Sequence, residues 1–371
     1  MNVLYVTLNS SLRSTTCVID AVVKQMRPNG LNPFFVFKDK GPWANVLHKN
    51  GICCYYKDFI VPSKSRPIEF MTNFIFWFRL IKKHKIDILH MNEHDYYPMV
   101  KHAAKAAGVK VVVGVRFVLN GGYAKWAFKT PYTPDKLLFT SHDQLERSRA
   151  ELPANVESHA VDVFGNGRDL DELTSSLFHE GQATWKCKGG STVVIGTASS
   201  LRPRKRIEDF ILLIKEILDS GHNVHGIIAG GGKYADPEYV VMLEKLILEN
   251  GLSSKIEMIG NLDEMAPFYR SIDLFVSTSE LETFGMSVCE AMAFGLPVAA
   301  YEGGSVQEVL SDDKYIVPNL EFRRLVDLVS DMVENLENHR NYAIRHKSRV
   351  FENFNAPTLA CRLNDTYKEL L

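Results

Sequence analysis

The chain has 371 residues, of which 46% are hydrophobic and 23% are charged. These fractions are typical of a water-soluble globular protein, and the length exceeds what a single hydrophobic core usually organises, so two domains are expected. Every apolar run is shorter than the roughly 20 residues that cross a bilayer. The first residues lack the basic and apolar regions of a secretory leader, so we expect a cytoplasmic protein.

The net charge of −1 conceals an asymmetry between the halves. Residues 1–165 carry 22 Lys and Arg against 13 Asp and Glu, or +9, whereas residues 166–371 carry 21 against 31, or −10. A basic first half favours an anionic partner such as a membrane surface, a lipid phosphate or an acidic sugar, with a scatter of solvated lysines as the alternative. The lysines do not alternate with aromatic residues, so nucleic acid is not an expected partner. The six cysteines form no CxxC pair, and neither a zinc site nor a disulfide is expected.

Short apolar runs alternate with helical patterns along the chain. The strands predicted in the first half are NVLYVTL, NPFFVFK, IDILHM, KVVVGVRF and DKLLFTS, and those in the second half are STVVIGTA, HGIIAGGG, KIEMIG, IDLFVSTS, LPVAAYE and KYIV. Helices such as 207–218 and 237–249 separate them. This rhythm predicts an α/β protein with two doubly wound, Rossmann-like parallel sheets, in domains 1–167 and 190–352. The tail 353–371 is predicted to be helical and to complete the first domain.

A conspicuous motif, ETFGMSVCEAMAFG, begins at Glu282 directly after the strand IDLFVSTS. Ligands of doubly wound sheets bind beyond the carboxyl ends of the strands, so we expect the site in a cleft between the two domains. Glu290 falls within the following helix, where an unpartnered buried carboxylate would cost several kcal/mol. Its partner is either an internal Lys or Arg or a pair of ligand hydroxyls such as a ribose diol. The backbone N–H groups at 284–287 form an anion site.

The arrangement of Glu282 and Glu290 in ETFGMSVCEAMAFGLPVAAYEGGSVQEV resembles the signature of family-4 retaining glycosyltransferases (glycosyl transferases group 1). GTASSLRPRKR resembles the phosphate-binding loop of that family, HGIIAGGG resembles its glycine turn, and Gly303 and Gly304 with Glu308 resemble the end of its motif. The resemblance is specific in the second half and diffuse in the first. It implies the GT-B fold, in which two Rossmann-like domains face a cleft.

The resemblance also implies the reaction, which is sugar transfer from a nucleotide diphosphate sugar with retention of the anomeric configuration. A UDP-sugar is favoured, a GDP-sugar is possible, and no metal is implied. By the family pattern, Glu290 would hold the ribose hydroxyls, Glu282 would lie near the donor sugar, and Lys205 would bind the diphosphate. The remaining donor contacts implied are Ser200, Arg202, Gly230, Gly231, Phe284, Gly285, Met286 and Ser287.

Two positions depart from the family pattern. Ser200 stands where the family usually has an Arg, so Arg202, Arg204 or Arg206 is expected to supply the missing phosphate cation. Arg116 stands where the first domain usually offers a His. A guanidinium is not a general base at neutral pH, but it binds an anionic acceptor or a phosphate; a surface Arg without function is the alternative. The candidate catalytic residues are therefore Glu282, Lys205 and Arg116.

Three other features are open to more than one interpretation. Arg13, in the first turn, is either a substrate contact or a solvated loop residue. The spelling His90-Met-Asn-Glu93-His94 matches an inverted zinc protease motif, but it follows a strand directly, whereas that motif requires a helix, so no metal is expected. The segment 67–85 places Phe70, Phe74, Phe78 and Ile81 on one helical stripe followed by basic residues, which fits either a crossover helix or peripheral attachment to an anionic membrane.

The function expected from these features is that of a metal-independent retaining glycosyltransferase that acts on a glycan or lipid-linked acceptor in surface polysaccharide or glycolipid synthesis. Two alternatives stay open. One is a non-catalytic relative that binds a sugar nucleotide or a partner enzyme, and the other is a GT-B epimerase or hydrolase that acts on a sugar nucleotide. Dependence of donor turnover on an acceptor distinguishes the first function from both alternatives.

Overall fold

A computed structural model of the chain describes residues 1–12, 14–61, 63, 65–176, 191–232 and 235–371. The chain divides into two compact units. Unit 1 comprises Met1–Asp169 together with Phe354–Leu371, and unit 2 comprises Leu170–Asn353. Three residues named in the sequence analysis lie outside the described residues. They are Arg13, which is the possible substrate contact, Gly190, which is the predicted start of the second domain, and Cys187, which is one of the six cysteines.

Unit 1 is built on a parallel sheet of seven strands in the order β3-β2-β1-β4-β5-β6-β7. The strands are β1 (Asn2–Thr7), β2 (Asn32–Phe37), β3 (Cys53–Tyr56), β4 (Ile88–Met91), β5 (Lys110–Val115), β6 (Lys136–Phe139) and β7 (Val161–Val163). The central strands are buried on both faces, which is why they appear in the sequence as continuous apolar runs. The strand order reverses beside β1. Because β1, β4 and β5 are parallel neighbours, their carboxyl ends lie next to one another.

Helices cover both faces of this sheet. They are α1 (Ser14–Met26), α2 (Pro42–Lys49), α3 (Pro67–Lys83), α4 (Tyr97–Ala107), α5 (Tyr123–Ala127), α6 (His142–Ser148) and α15 (Ala356–Leu370). Alternate residues of β1 enter two separate cores: Leu4 and Val6 pack with α3 and α4, whereas Val3 and Tyr5 pack with α1, α2 and α15. This is the arrangement expected of a doubly wound sheet.

The helix α3 is a crossover helix that connects β3 to β4. Its buried residues are Asn73, Trp77, Leu80 and Ile81. The Trp77 indole donates to Asn73 Oδ1 at 3.0 Å, and Asn73 Nδ2 donates to the Met99 carbonyl at 2.6 Å. Of the predicted stripe, Ile81 is buried, and Phe74 and Phe78 are partly buried against the same core.

The C-terminal helix α15 belongs to unit 1. Leu359, Leu363 and Tyr367 are fully buried in the core shared with α1 and β1. Arg168 and Asn355 form an isolated bridge where the chain returns to unit 1. A Cβ at Gly167 would lie 2.0 Å from the Phe354 carbonyl oxygen, so only glycine allows this approach.

Leu363→Ala is expected to destabilise unit 1 by about 2–5 kcal/mol, because it leaves a cavity in the core beneath α15. Hydrogen exchange in graded urea, followed separately on peptides of each unit, measures the loss. The exposed neighbour Arg362 provides the matched control, and Arg362→Ala should stay within about 0.5 kcal/mol of the wild type. Equal effects of the two substitutions would contradict the role assigned to α15.

Unit 2 has a parallel sheet of six strands in the order β10-β9-β8-β11-β12-β13. The strands are β8 (Val193–Ala198), β9 (Val224–Ala229), β10 (Ile256–Gly260), β11 (Leu274–Ser277), β12 (Val298–Tyr301) and β13 (Ile316–Val317). The helices are α7 (Leu170–Ser175), α8 (Ile207–Asp219), α9 (Pro237–Glu249), α10 (Ala266–Ser271), α11 (Met286–Ala293), α12 (Val306–Leu310), α13 (Phe322–Glu334) and α14 (Leu336–Phe354).

The predicted α/β class is confirmed, and every strand predicted from the sequence is present. Among the residues that the structure describes, two strands were not predicted, β3 and β7, and both are edge strands of unit 1. Cys17, Cys53, Cys54, Cys289 and Cys361 are free thiols. Within the described part of the chain, no helix is long and apolar enough to cross a membrane.

Candidate functional site

The site in unit 2 is organised by the turn between β11 and α11. Gly285 has φ +86° and forms the N-cap of α11, a conformation that residues with a Cβ adopt only under strain. Met286 and Ser287 follow as the first helical residues, half-buried, and Phe284 precedes the turn, buried. The N–H groups of a first helical turn lie outside the intrahelical hydrogen-bond ladder, so they are available to an anion.

Glu290 lies in α11 with 8% of its surface exposed. The Tyr269 hydroxyl donates to Glu290 Oε2 at 2.9 Å. A neutral phenol is a partner that the sequence interpretation did not include, since it offered a Lys, an Arg or ligand hydroxyls. A phenol is a neutral donor, so this hydrogen bond stabilises the carboxylate without adding a positive charge.

Tyr269 is itself fixed by packing at the end of α10. Its ring stacks on Phe294 at 5.3 Å between centroids, and Tyr269 is 1% exposed. The Arg270 guanidinium lies 5.6 Å from the centre of the Phe294 ring. The stretch APFYRSIDLFV gives no sign that Tyr269 reaches Glu290, because the contact joins two elements separated by β11.

Glu282 and Lys205 form a buried ion pair next to this turn. Lys205 Nζ contacts Glu282 Oε1, and the Ser279 hydroxyl donates to the same oxygen at 2.8 Å. The side chains are only 8% and 12% exposed. The sequence assigned these two residues to neighbouring parts of one donor site, and the fold brings them into direct contact.

The backbone of Glu282 is fixed by the glycine pair at the end of the motif. Glu282 forms an isolated parallel bridge with Gly304, and its N–H donates to the Gly303 carbonyl at 3.2 Å. A Cβ at Gly304 would lie 2.2 Å from the Glu282 carbonyl oxygen. The two glycines therefore permit the close backbone approach that orients the Glu282 side chain.

The loop after β8 is tied to the same turn. Lys205 ends a short 3-10 turn, Pro203–Lys205, and the Thr278 hydroxyl donates to its carbonyl oxygen at 2.9 Å. The Glu280 N–H donates to the Arg204 carbonyl at 3.0 Å. These bonds place the Lys205 ammonium at the carboxyl ends of β8 and β11.

The three arginines of this loop differ in their surroundings. Arg206 binds Asp209 through two hydrogen bonds, of 2.9 and 3.0 Å, and these bonds raise the pKa of its guanidinium. Arg206 is therefore engaged in a structural pair. Arg202 and Arg204 are exposed, and Ser200 is half-buried without a charge of its own. The candidates for the phosphate cation that Ser200 does not supply are thus Arg202 and Arg204.

The glycine turn after β9 lies against this loop. Gly230 has φ +147° and Gly231 has φ +130°, and the Gly230 N–H donates to the Gly260 carbonyl at 2.8 Å. A Cβ at Gly230 would lie 1.9 Å from the Ser199 carbonyl oxygen. The turn therefore requires glycine for both its conformation and its close approach to the loop after β8.

In unit 1, Arg116 follows β5 and is buried. Its guanidinium donates to the carbonyl and the side-chain oxygen of Asn92, so it is not a surface residue.

His90 is buried against Tyr367, with Nδ1 2.6 Å from the Tyr367 hydroxyl, and burial together with Arg116 lowers its pKa to about 3. His94 lies in a 3-10 turn after β4. No group of metal-ligating side chains that could hold an ion occurs within the residues the structure describes.

Residues 188–349 match the family model for glycosyl transferases group 1. Among curated proteins, the N-acetyl-alpha-D-glucosaminyl L-malate synthase of Bacillus anthracis is 25% identical over 47% of this chain and 44% of its own length. The UDP-Gal:alpha-D-GlcNAc-diphosphoundecaprenol alpha-1,3-galactosyltransferase of Escherichia coli is 24% identical over 71% of this chain and 69% of that protein. The chain spans about half the length, or less, of several curated relatives that it matches, including the Bacillus anthracis protein.

Solved structures match the whole chain. A glycosyltransferase from Rickettsia africae has a TM-score of 0.83 at 17% identity, over 100% of this chain and 98% of that chain. Anabaena Alr3699/HepE in complex with UDP has a TM-score of 0.81 at 16% identity, over 100% of both chains. At these identities the likeness shows the fold, which is GT-B.

Proposed function

We propose that this chain, a GT-B protein that carries a glycosyl transferases group 1 domain over residues 188–349, is a retaining glycosyltransferase that transfers a sugar from a nucleotide diphosphate sugar. The observation that carries the proposal is the buried contact between Lys205 and Glu282, three residues before the N-cap of α11. The cation and the carboxylate of this contact therefore lie close in sequence and structure to a helix N-terminus. Unit 2 is the proposed donor domain, and unit 1 is the proposed acceptor domain.

Within the proposed donor site, each residue has a role that its position supports. Glu290 accepts hydrogen bonds from the two ribose hydroxyls, and Glu282 lies near the donor sugar. The helix start, the glycine turn and the phosphate loop contact the diphosphate and the sugar, through Phe284, Gly285, Met286, Ser287, Gly230, Gly231, Ser200 and Arg202. UDP is the favoured nucleotide because the HepE structures contain UDP and UDP-glucose. GDP is the second candidate.

Lys205 and the first turn of α11 are proposed to stabilise the leaving group. Breaking the anomeric bond leaves negative charge on the departing diphosphate, and a well-placed donor lowers the barrier by about 3–4 kcal/mol. The ammonium of Lys205 and the helix N-terminus supply this positive potential from the protein itself. We therefore propose a metal-independent transfer, in which activity persists in the presence of a chelator.

The proposed acceptor is a glycan or a lipid-linked sugar in surface polysaccharide or glycolipid synthesis. The printed name of the E. coli relative describes transfer to a sugar diphosphoundecaprenol, and relatives from two Rhizobium species are named for lipopolysaccharide core biosynthesis. Those names support a saccharide acceptor attached to a lipid. Arg116 is proposed as the contact of unit 1 with the reacting partners.

Donor turnover with and without acceptor tests the proposal. The protein is incubated with UDP-sugars and GDP-sugars in EDTA, with and without lipid-linked saccharide acceptors, and donor loss and product are quantified by mass spectrometry. We expect one donor to be consumed in proportion to acceptor. Equal donor loss without acceptor would favour a sugar-nucleotide epimerase or hydrolase, and nucleotide binding without turnover would favour a non-catalytic relative.

We further propose that α3 attaches unit 1 to an anionic membrane. At 100° per residue, the side chains of Ile68, Met71, Ile75, Arg79 and Lys82 lie on one side of the helix, opposite the buried side. All five are exposed, and Ile68 is 78% exposed. This exposed face of α3 combines an apolar first half with a basic second half, as in helices that lie in a lipid headgroup layer.

Replacing Ile68, Met71 and Ile75 by serine is expected to lower the affinity for vesicles containing phosphatidylglycerol by at least about tenfold, because apolar burial supplies part of the binding energy. Co-sedimentation measures the change. The control is Val241→Ser with Leu248→Ser on α9, which removes exposed apolar residues from unit 2. Equal loss in both variants, or equal binding to neutral phosphatidylcholine, would contradict attachment through α3.

A further inference from the structure

A buried polar cluster occupies the carboxyl ends of β1, β4 and β5 in unit 1. Arg116 Nε donates to the Asn92 carbonyl at 2.9 Å, and Nη2 donates to Asn92 Oδ1 at 2.5 Å. Arg116 is 5% exposed and Asn92 is fully buried. Both contacts are to neutral oxygens, so they orient the guanidinium without pairing it directly with a carboxylate.

Asn92 is in turn fixed by Glu93. Asn92 Nδ2 donates to Glu93 Oε1 at 2.7 Å, and this bond directs the Asn92 oxygen towards Arg116. The Glu93 carboxylate also accepts from the Thr7 hydroxyl at 3.0 Å and from the Leu8 N–H at 3.2 Å. Glu93 thus connects the end of β1 to the residues that hold the guanidinium.

Gly114, the penultimate residue of β5, makes room for the arginine. A Cβ at this position would lie 2.6 Å from the Asn92 carbonyl oxygen and 3.3 Å from Arg116 Nε. Any larger residue would displace one of these two groups. The absence of a side chain at Gly114 therefore leaves space for the Arg116 side chain to run back along β5 and contact Asn92.

The Arg116 guanidinium keeps an unoccupied edge. Within the described residues, its Nη1 has no hydrogen-bond acceptor, and no carboxylate oxygen lies within ion-pair distance of it. Among the described residues of unit 1, the fully buried polar side-chain atoms without a partner are His90 Nε2 and Asn166 Oδ1. Because Nη1 also has no partner but is not among these buried atoms, this edge reaches solvent. Burial lowers the pKa of Arg116, whereas the nearby charge of Glu93 raises it, and the group stays protonated.

We propose that this edge binds an anionic group of the acceptor, a carboxylate or a phosphate, and that Asn92 and Glu93 are positioning residues for Arg116. A guanidinium with one edge fixed and the other edge open matches the two oxygens of such a group. The proposal rests on the glycosyltransferase function proposed above. The donor diphosphate is the less suitable ligand, because unit 2 provides its own cation in Lys205.

The test measures anion binding by thermal shift with two probes, methyl phosphate and malonate, on protein saturated with UDP so that the donor site is filled. We expect at least one probe to raise the unfolding midpoint of the wild type in a saturable manner. Arg116→Gln should weaken that probe about 10- to 100-fold, as expected for loss of a charged hydrogen-bond pair. Which probe binds distinguishes a phosphate from a carboxylate.

Three further variants complete the test. Asn92→Ala should weaken the probe while leaving UDP affinity unchanged, a separation that a merely structural role would not produce. Arg147→Gln removes an exposed arginine of unit 1 that pairs with Asp143, and it should leave probe binding unchanged. Arg116→Lys keeps the charge without the paired geometry and should recover part of the affinity, so it replaces Arg116→Gln if the latter fails to fold.

The outcomes separate this inference from the proposed function. Equal probe binding by the wild type and Arg116→Gln, or no saturable binding of either probe, would overturn the inference. A loss of UDP affinity in Arg116→Gln would also overturn it, since the anion would then be the donor diphosphate. If the wild type does not bind UDP, the proposed function fails, and the probe titrations on the protein without UDP still decide whether Arg116 holds an anion.

Discussion

Glu290→Ala is expected to weaken nucleotide binding by about 1.5–3 kcal/mol, or roughly 10- to 150-fold, the contribution of hydrogen bonds to a charged group. The carboxylate lies within α11, where the Tyr269 hydroxyl donates to its Oε2 at 2.9 Å. A ribose diol would add two donors to the same group. Calorimetric titration with UDP and GDP measures the change.

Two substitutions separate ligand binding from folding. Glu290→Gln keeps the shape and one carbonyl acceptor but removes the charge, so it should show an intermediate loss. Tyr269→Phe removes the phenol while Glu290 stays in place, and it should reduce stability by about 1–3 kcal/mol while leaving nucleotide affinity nearly unchanged. If Tyr269→Phe reduced nucleotide affinity as much as Glu290→Ala, the role of Glu290 would be structural.

Lys205→Ala is expected to lower kcat by about 100- to 1,000-fold at saturating donor, since it removes the cation proposed to stabilise the leaving diphosphate. The substitution also leaves Glu282 buried without its cation, which reduces stability. The rate is measured as acceptor-dependent release of nucleotide. A separate urea titration records the stability.

Two matched variants control for that loss of stability. Lys205→Ala combined with Glu282→Gln removes both charges of the pair, so it should recover stability but not kcat. Lys245→Ala removes an exposed ammonium of unit 2 that lies 3.5 Å from Glu249 Oε1, and it should change kcat by less than about tenfold. A Lys205→Ala variant with wild-type kcat would exclude Lys205 from the chemistry.

The fold was predictable because most strands are buried on both faces. Such strands appear as continuous apolar runs, and VLYV in β1 or VVIG in β8 could be recognised from the sequence alone. β3 and β7 could not. They lie at the edges of the first sheet, they are half exposed, and their sequences CCYY and VDV have no apolar run.

The site was predictable only where one stretch of sequence carries it. The turn around Gly285 and the position of Glu290 in a helix follow from residues 282–295. Two contacts of the site join separate elements, namely that of Tyr269 with Glu290 and that of Arg116 with Asn92. Both depend on side-chain orientations that a single sequence does not specify. The same holds for α3, where the buried side carries Asn73, which bonds to Trp77 and to the Met99 carbonyl.

Titration of the wild-type protein with UDP, GDP and their sugar conjugates in EDTA tests the central claim most directly. The account predicts saturable binding of one nucleotide family at a single site without metal. Binding should persist in Arg116→Gln and weaken in Glu290→Ala, because the donor site belongs to unit 2. Failure of every nucleotide to bind, with or without added Mg²⁺, would contradict the claim that unit 2 is a donor site.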